Sequence, residues 1–376
     1  MKRSKWTVVL LVLALALGLV GTLAACGGEA GPVEDTGQTW DLKFSYGVPS
    51  AASLSVGCLR PWAAAVEEAT DGRVSIEHYA DGTMAKDEQQ YDYLIANTSD
   101  LSLVEPEYTA GVFRVFELGS LPKLFPDPAV AAAVMWDITQ EYPEEFEDVQ
   151  VLGVSCIAGA QYIGSADVKL PEDAAGVKMR SGGKIESWIL EELDAEVIDI
   201  SLGDLGTSLE RGLADGAFLS WSLTFISGAV KFTEYRTNLD LMYRPWLILM
   251  NKDVWNSMPP NIQDDIMSVS GQIPSVIYAV ANELITNESR EDLENLDEKL
   301  GNQPIYVPTQ DEMAQWMETL KPVWQKWVDE LDSSKSPYAG QGQEILDFIA
   351  TKVDEYSTIY KDNTTEAQKI LDARFE

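Results

Sequence analysis

The chain has 376 residues, of which 61 are acidic and 27 are Lys or Arg, and its formal net charge at neutral pH is −34. A surface this acidic repels nucleic-acid phosphates and anionic lipid headgroups, so the composition argues against a nucleic-acid-binding protein. It also repels anionic ligands at long range, so an anion site here needs a local positive group. About 340 residues follow the N-terminal segment described next, which is more than one ordinary core holds and predicts two lobes.

The N-terminus has the pattern of a secretory signal that ends in a lipoprotein processing site. Basic side chains within residues 2–5 precede an apolar run over 7–20, and the small residues of LAAC at 23–26 lead to Cys26. A run of about 14 residues is short for a membrane span, which needs about 20, so an uncleaved transmembrane anchor is the less favoured alternative. Residues 1–25 are therefore predicted to be a signal peptide, and Cys26 the lipidated N-terminus of the mature chain.

The segment after the processing site predicts a tether and an extracytoplasmic location. Residues 26–39 are rich in Gly and acid and show no apolar periodicity, which is typical of a flexible linker. The anchor would lie in the periplasm or on the outer face of the cell membrane. Beyond Cys26, only Cys58 and Cys156 remain. They could pair outside the cytoplasm, although two small buried thiols are the favoured arrangement.

Strand and helix patterns alternate along the first part of the chain. Strands are predicted at 40–46, 74–79, 101–104 and 151–156, and helices from about 59 to 71, 89 to 96 and 130 to 142. This order favours mainly parallel sheets covered by helices.

A second alternating set begins with a short strand near Val177 and returns to the first lobe through a strand at 246–250. Between them lie a helix at 184–193, a strand at 196–200 and a helix at 203–213. Residues 261–300 are largely helical, and Pro274 is expected to bend or interrupt that helix. The tail carries an apolar stripe at three- and four-residue spacing, which is more typical of a core than of a ligand site: Trp316, Leu320, Val323, Trp324 and Trp327.

Signatures of catalysis are missing from the sequence. The single histidine, His78, lies in mid-strand, and the chain has no Gly-x-Ser-x-Gly, no Cys-x-x-Cys, no two-histidine helix motif and no acidic calcium loop. SGGK at 181–184 fails as a phosphate loop because Lys178 replaces the first glycine and no Ser or Thr follows. We therefore predict a protein without catalytic residues, cofactor or metal.

Three stretches resemble the solute receptors of tripartite ATP-independent periplasmic (TRAP) transporters. They are LPEDAAGVKMR at 170–180, SLERGLADGA at 208–217 and MNKDVWNSMP at 250–259. LPKLFPD at 121–127 is similar to a further turn of that family. The resemblance runs from about Trp40 to the C-terminal helices. It implies a receptor that captures a small organic carboxylate and delivers it to integral-membrane subunits driven by an ion gradient.

The resemblance implies an α/β fold of two hinge-connected lobes, like a type II periplasmic binding protein, with a long helix spanning the lobes and a helical C-terminus. Lobe I is predicted to comprise 40–152 and 246–275, and lobe II 153–245. Helices within 276–376 are predicted to pack on both lobes. Crossover strands near 151–156 and 243–250 would join the lobes.

Arg180 matches the carboxylate-binding arginine of that family, and a guanidinium suits this role because it donates two parallel hydrogen bonds to one carboxylate. Gln161 stands where receptors for sugar acids carry another arginine, and no asparagine follows the Asp-Gly pair at 215–216. Such a cleft loses polar donors and gains aromatic surface from Phe218 and Trp221, so we expect one carboxylate on a larger apolar or aromatic body. For Phe218 and Trp221, a core position is about as favoured as a ligand contact.

Tyr46, Glu105 and Trp246 complete the predicted ligand site. Arg211 is expected to be solvated and to take no part in it. Two rival interpretations stay open at this point: a receptor for an ABC importer, which would have a similar two-lobed fold, and a surface-anchored hydrolase, which lacks a complete catalytic set.

Overall fold

The structure, a computed structural model, describes residues 37–109 and 111–360. The predicted signal peptide, Cys26 and most of the predicted tether lie outside these ranges. Across the described ranges, none of the helices combines the length and the apolar character needed to cross a bilayer.

The first lobe is built on a five-stranded sheet. Its strands are β1 (Trp40–Ser45), β2 (Val74–Tyr79), β3 (Leu101–Val104), β4 (Val149–Cys156) and β10 (Pro245–Asn251). They lie in the order β2-β1-β3-β10-β4. β1 is parallel to both of its neighbours, whereas β10 is antiparallel to β3 and β4. β4 stays in this sheet through Cys156, so the lobe boundary predicted at 152–153 falls inside a strand.

The second lobe repeats this arrangement with a sheet of its own. Its strands are β5 (Gln161–Gly164), β6 (Lys178–Ser181), β7 (Glu196–Asp199), β8 (Gly216–Leu219) and β9 (Tyr235–Thr237). They lie in the order β7-β6-β8-β5-β9, with β6 parallel to β7 and β8 and β5 antiparallel to β8 and β9. Both sheets are therefore mixed, and the prediction of mainly parallel sheets was wrong. The rule behind it concerns crossovers within one sheet, whereas β5 and β10 enter directly from the other lobe.

The helices cover both sheets. They are α1 (Arg60–Ala69), α2 (Gln90–Ile95), α3 (Pro128–Glu141), α4 (Lys184–Glu192), α5 (Leu205–Glu210), α6 (Trp221–Ile226), α7 (Lys252–Asn256), α8 (Pro260–Ser268), α9 (Gln272–Leu300), α10 (Gln310–Asp332) and α11 (Gly342–Ile359). A π-helical turn, Ser55–Leu59, precedes α1.

The long helix predicted around Pro274 is present, but its break falls earlier than the proline. The helical stretch divides between Ser268 and Gln272, where Gly271 has φ of 87°. Pro274 then lies in the first turn of α9, where its missing N–H removes no helical hydrogen bond. α9 packs on α3 and β4 of the first lobe and on α6 of the second, so it spans the lobes as predicted.

Helix α10 ties the two lobes together through its buried tryptophans. Trp316 and Trp327 are 0% and 2% exposed, which confirms that the apolar stripe belongs to the core. The Trp316 indole N–H donates to the Lys169 carbonyl of the second lobe at 3.1 Å. The Trp327 indole N–H donates to the Arg114 carbonyl of the first lobe at 3.3 Å. These contacts attach α10 to both lobes.

Cys58 and Cys156 are both buried free thiols. This agrees with the favoured interpretation of two small core residues rather than a disulfide.

Candidate ligand-binding site

A cleft of about 430 Å³ lies between the lobes, where the carboxyl ends of several strands meet. Gly47 follows β1, Glu105 follows β3, and Arg180 and Phe218 lie in β6 and β8. The edge at the carboxyl ends of parallel strands is the usual place for a ligand in an open α/β sheet. The volume is within the range of small-molecule pockets.

Most of the cleft wall is apolar. Its apolar lining residues include Val48, Phe218, Leu223, Ile226, Met242 and Trp246. The Trp246 indole nitrogen is buried without a hydrogen-bond partner among the described residues. The wall thus provides aromatic surface together with one free N–H donor, a combination suited to a ligand with an apolar body and few polar groups.

Arg180 is the positive group that the acidic surface of this protein requires for an anion site. Its side chain is held by a hydrogen bond from Nε to the Ile200 carbonyl at 3.1 Å, and the residue is 5% exposed. No carboxylate within the described ranges forms an ion pair with it. The terminal guanidinium nitrogens therefore remain available to an anion in the cleft, with the side chain already oriented.

Arg244, which sequence reasoning missed, lies beside Arg180 in the cleft. Its Nη1 is 3.2 Å from Glu105 Oε1 and its Nη2 is 2.5 Å from Glu186 Oε2. The side chain is 14% exposed, so part of the guanidinium still faces the cleft. The only sequence signal was a charged residue directly before the apolar strand β10. That signal points to the cleft only once β10 is known to start beside the end of β3, where Glu105 lies.

Both arginines approach the backbone of Gly182. A Cβ added there would lie 2.7 Å from Arg180 Nη1 and 2.8 Å from both terminal nitrogens of Arg244. The Gly182 N–H also donates to Glu186 Oε2 at 2.9 Å. Glycine therefore allows the two guanidinium groups to approach each other beside residue 182.

Burial governs the protonation of the acids around these arginines. It raises the pKa of Glu105 to about 8, although Arg244 opposes this rise. Burial also raises the pKa of Glu186, against the effect of Arg244 and Arg180. Burial acts to lower the pKa of Arg244, but Glu105 and Glu186 outweigh it, so the net shift is upward and the guanidinium stays charged.

The structure brings four of the predicted site residues to the cleft, namely Arg180, Phe218, Glu105 and Trp246. Phe218 is a cleft wall as well as a core residue, since it also packs edge-on against Tyr162 at 6.4 Å.

The other three predicted site residues do not line the cleft in this structure. Trp221 is 2% exposed in a second-lobe core, with the Arg290 guanidinium 5.9 Å from its ring. Gln161 is occupied by the backbone, because its Oε1 accepts from the Leu239 N–H at 2.7 Å and its Nε2 donates to the Gly159 carbonyl at 2.9 Å.

Tyr46 is the third. It is fully buried in the first-lobe core, and its hydroxyl lies 3.2 Å from His78 Nδ1. Its neighbour Gly47, in the loop that follows β1, lines the cleft instead.

The two mixed sheets and the ligand-sized cleft between them define a two-lobed solute-binding protein. Residues 44–330 match the model of the DctP family, bacterial extracellular solute-binding protein family 7. The chain belongs to this family, and the predicted resemblance to TRAP receptors is confirmed.

Three similar proteins differ in the carboxylate that each is described as binding. A C4-dicarboxylate-binding periplasmic protein DctP of Shewanella loihica is 22% identical over 77% of this chain and 86% of its own length. The structure is similar to that of a TRAP solute-binding protein from Rhodoferax ferrireducens with copurified benzoate, at a TM-score of 0.78, 22% identity and coverage of 85% of this chain and 99% of that one. It is also similar to a marine metagenome TRAP protein specific for aromatic acids, with bound 3-hydroxybenzoate, at a TM-score of 0.75, 20% identity and coverage of 85% and 99%.

Proposed function

We propose that this protein is a TRAP-type receptor for a small organic acid with one carboxylate and an apolar or aromatic body. The observation that carries this proposal is Arg180, a buried, oriented arginine without an ion pair among the described residues, in a cleft with mostly apolar walls. The guanidinium would bind the carboxylate, and Phe218 and Trp246 would cover the body. The bound benzoate and 3-hydroxybenzoate of the two similar structures support an aromatic acid.

A dicarboxylate is the second candidate, because a relative is named as a C4-dicarboxylate-binding protein. A second carboxylate would need a second cation at a distance from Arg180. Arg244 lies beside Arg180 at Gly182, so it is too near to hold the far end of a dicarboxylate. The monocarboxylate is therefore the better fit to the cleft.

Ligand capture is proposed to close the two lobes about a hinge. The hinge segments would be 157–160 and 238–244, which connect β4 to β5 and β9 to β10. The lobes already touch across the cleft rim, since Glu107 Oε2 accepts from the Ile185 N–H at 2.9 Å and the Ser53 and Ser222 hydroxyls lie 3.0 Å apart. An open state would break these contacts and admit the ligand.

We further propose that the mature protein is lipid-anchored through Cys26 outside the cytoplasm and delivers its ligand to integral-membrane transporter subunits. The sequence LAAC at 23–26 after an apolar run supports the anchor, and the family supports the transporter partner. The energy for transport would come from the membrane subunits. No nucleotide or metal is assigned to this chain.

Calorimetric titration of the mature protein with benzoate, 3-hydroxybenzoate, mandelate and succinate tests the ligand class. We expect at least one aromatic acid to bind more tightly than succinate. Tighter binding of succinate than of every aromatic acid would favour the dicarboxylate candidate. Absence of binding by all four acids would count against a carboxylate ligand of this kind.

A further inference from the structure

Gln161 is occupied by the loop that leads to β10, because its amide oxygen accepts from the Leu239 and Asp240 N–H groups, and it offers no cation to a ligand in the cleft. We propose that Arg244 supplies a second arm of the carboxylate clamp, so that one ligand carboxylate is bound between Arg180 and Arg244. This inference rests on the proposed function and deepens it by naming the group that completes the site.

The position of Arg244 meets the first requirement, which is that both arginines reach the same carboxylate. The terminal nitrogens of Arg244 and Nη1 of Arg180 all lie within 2.8 Å of the point where a Gly182 Cβ would be. The two oxygens of a carboxylate can each accept more than one hydrogen bond, so one group can bridge two guanidinium forks. The absence of a side chain at residue 182 keeps the arginines this close.

Arg244 also has donors to spare. A guanidinium carries five N–H groups in a planar fork. Its Nη1 faces Glu105 at 3.2 Å and its Nη2 faces Glu186 at 2.5 Å, which leaves at least one further N–H on each terminal nitrogen. Because the side chain is 14% exposed and lines the cleft, these N–H groups can be reached from the cavity.

The acids on either side make Arg244 a rigid donor rather than a neutralised one. Glu105 comes from the end of β3 and Glu186 from α4, so the guanidinium is held from both lobes. Both oxygens of Glu105 are buried without a hydrogen bond among the described residues, and burial raises the pKa of this carboxyl. Glu105 and Glu186 therefore hold the Arg244 guanidinium in place from both lobes, and the raised pKa of Arg244 means that the guanidinium keeps its charge.

The clamp is tested by titrating benzoate into wild-type protein and four variants. Arg244→Gln alone would leave buried acids unpaired, so the decisive variant is the charge-matched Arg244→Gln/Glu186→Gln. We expect about 10- to 100-fold weaker benzoate binding by this double variant, as for loss of a charge-assisted bond in a closed site. Glu186→Gln alone keeps Arg244 and separates the loss of Glu186 from the loss of Arg244, and we expect it to bind benzoate more tightly than the double variant does.

Two further variants separate a ligand contact from a structural role. Arg244→Lys should recover part of the lost affinity, since lysine keeps the charge but not the fork. Arg211→Gln, the same type of change at an exposed position at the end of α5, should bind benzoate like wild type. Melting temperatures of the ligand-free variants establish that each is folded.

Wild-type affinity in the charge-matched double variant would overturn the clamp while leaving the proposed function intact. If wild-type protein fails to bind benzoate, the comparison is made with the tightest of 3-hydroxybenzoate, mandelate and succinate. If wild-type protein binds none of these acids, the proposed function fails, and the clamp fails with it.

Discussion

Replacement of Arg180 by alanine is the perturbation whose cost follows most directly from the structure. Arg180 is 5% exposed, its Nε is fixed to the Ile200 carbonyl, and no described carboxylate competes for its terminal nitrogens. Truncation would leave the ligand carboxylate desolvated in a mostly apolar cleft without this partner. Breaking such a buried charge pair costs about 2–5 kcal/mol, which corresponds to roughly 30- to several-thousand-fold in affinity.

The lower part of this range applies if Arg244 remains to hold the carboxylate, and the upper part if Arg180 acts alone. Arg180→Lys should recover part of the loss, because a single ammonium presents a point charge instead of a planar fork. Arg211 provides the control, since it lies exposed at the end of α5 and its removal should leave affinity unchanged.

Calorimetric titration of these variants with the tightest-binding aromatic acid gives the affinities directly. Wild-type affinity in Arg180→Ala would refute the reasoning, because no other unpaired buried cation lines the described part of the cleft. An equal loss in the Arg211 variant would show that the effect is not local to the site.

Three further predictions concern the anchor, the hinge and the buried acid. Cys26→Ala should release the protein from membranes or block its processing, and membrane-bound, normally processed mutant protein on fractionation would contradict the lipoprotein hypothesis. Saturating ligand should reduce the radius of gyration in solution scattering and raise the melting temperature, with about 2.7 kcal/mol of stabilisation at 100 times Kd; an unchanged radius would argue against hinge closure. Burial raises the pKa of Glu105 from 4.5 to about 8, so across this window the folded state binds more protons than the unfolded state and stability falls as pH rises. Denaturant titrations at pH 5 and pH 8 give the free energy of unfolding at each pH. Glu105→Gln should reduce the difference between these two free energies. An unchanged difference would rule out Glu105 as its source.

Much of the secondary structure could be predicted because it depends on local patterns. The alternating apolar residues of β2 and β3 gave strand bounds that agree with the structure, Val74–Tyr79 and Leu101–Val104. The buried stripe on α10 was likewise expected from its helical spacing. The apolar runs of the two strands and the helical spacing of the stripe are local properties of the sequence, so they predict these elements without knowledge of the partners.

The errors arose where a distant part of the chain decides the outcome. Strand direction was mistaken because β5 and β10 enter their sheets from the opposite lobe. Gln161 was assigned to the ligand site by its position in a motif, but the backbone of the loop at 239–240 occupies its amide oxygen. Arg244 was missed for the same reason, since its place beside Arg180 follows from the pairing of β10 with β3.

The central claim is that the cleft holds a monocarboxylate with an apolar or aromatic body. Mass spectrometry of the small molecules released from purified, undenatured mature protein tests it most directly, with Arg180→Ala protein as the matched sample. We predict an aromatic or similarly apolar monocarboxylic acid that is present in the wild-type protein and depleted in the variant. A dicarboxylate, a sugar acid or a neutral molecule retained equally by both proteins would contradict the account.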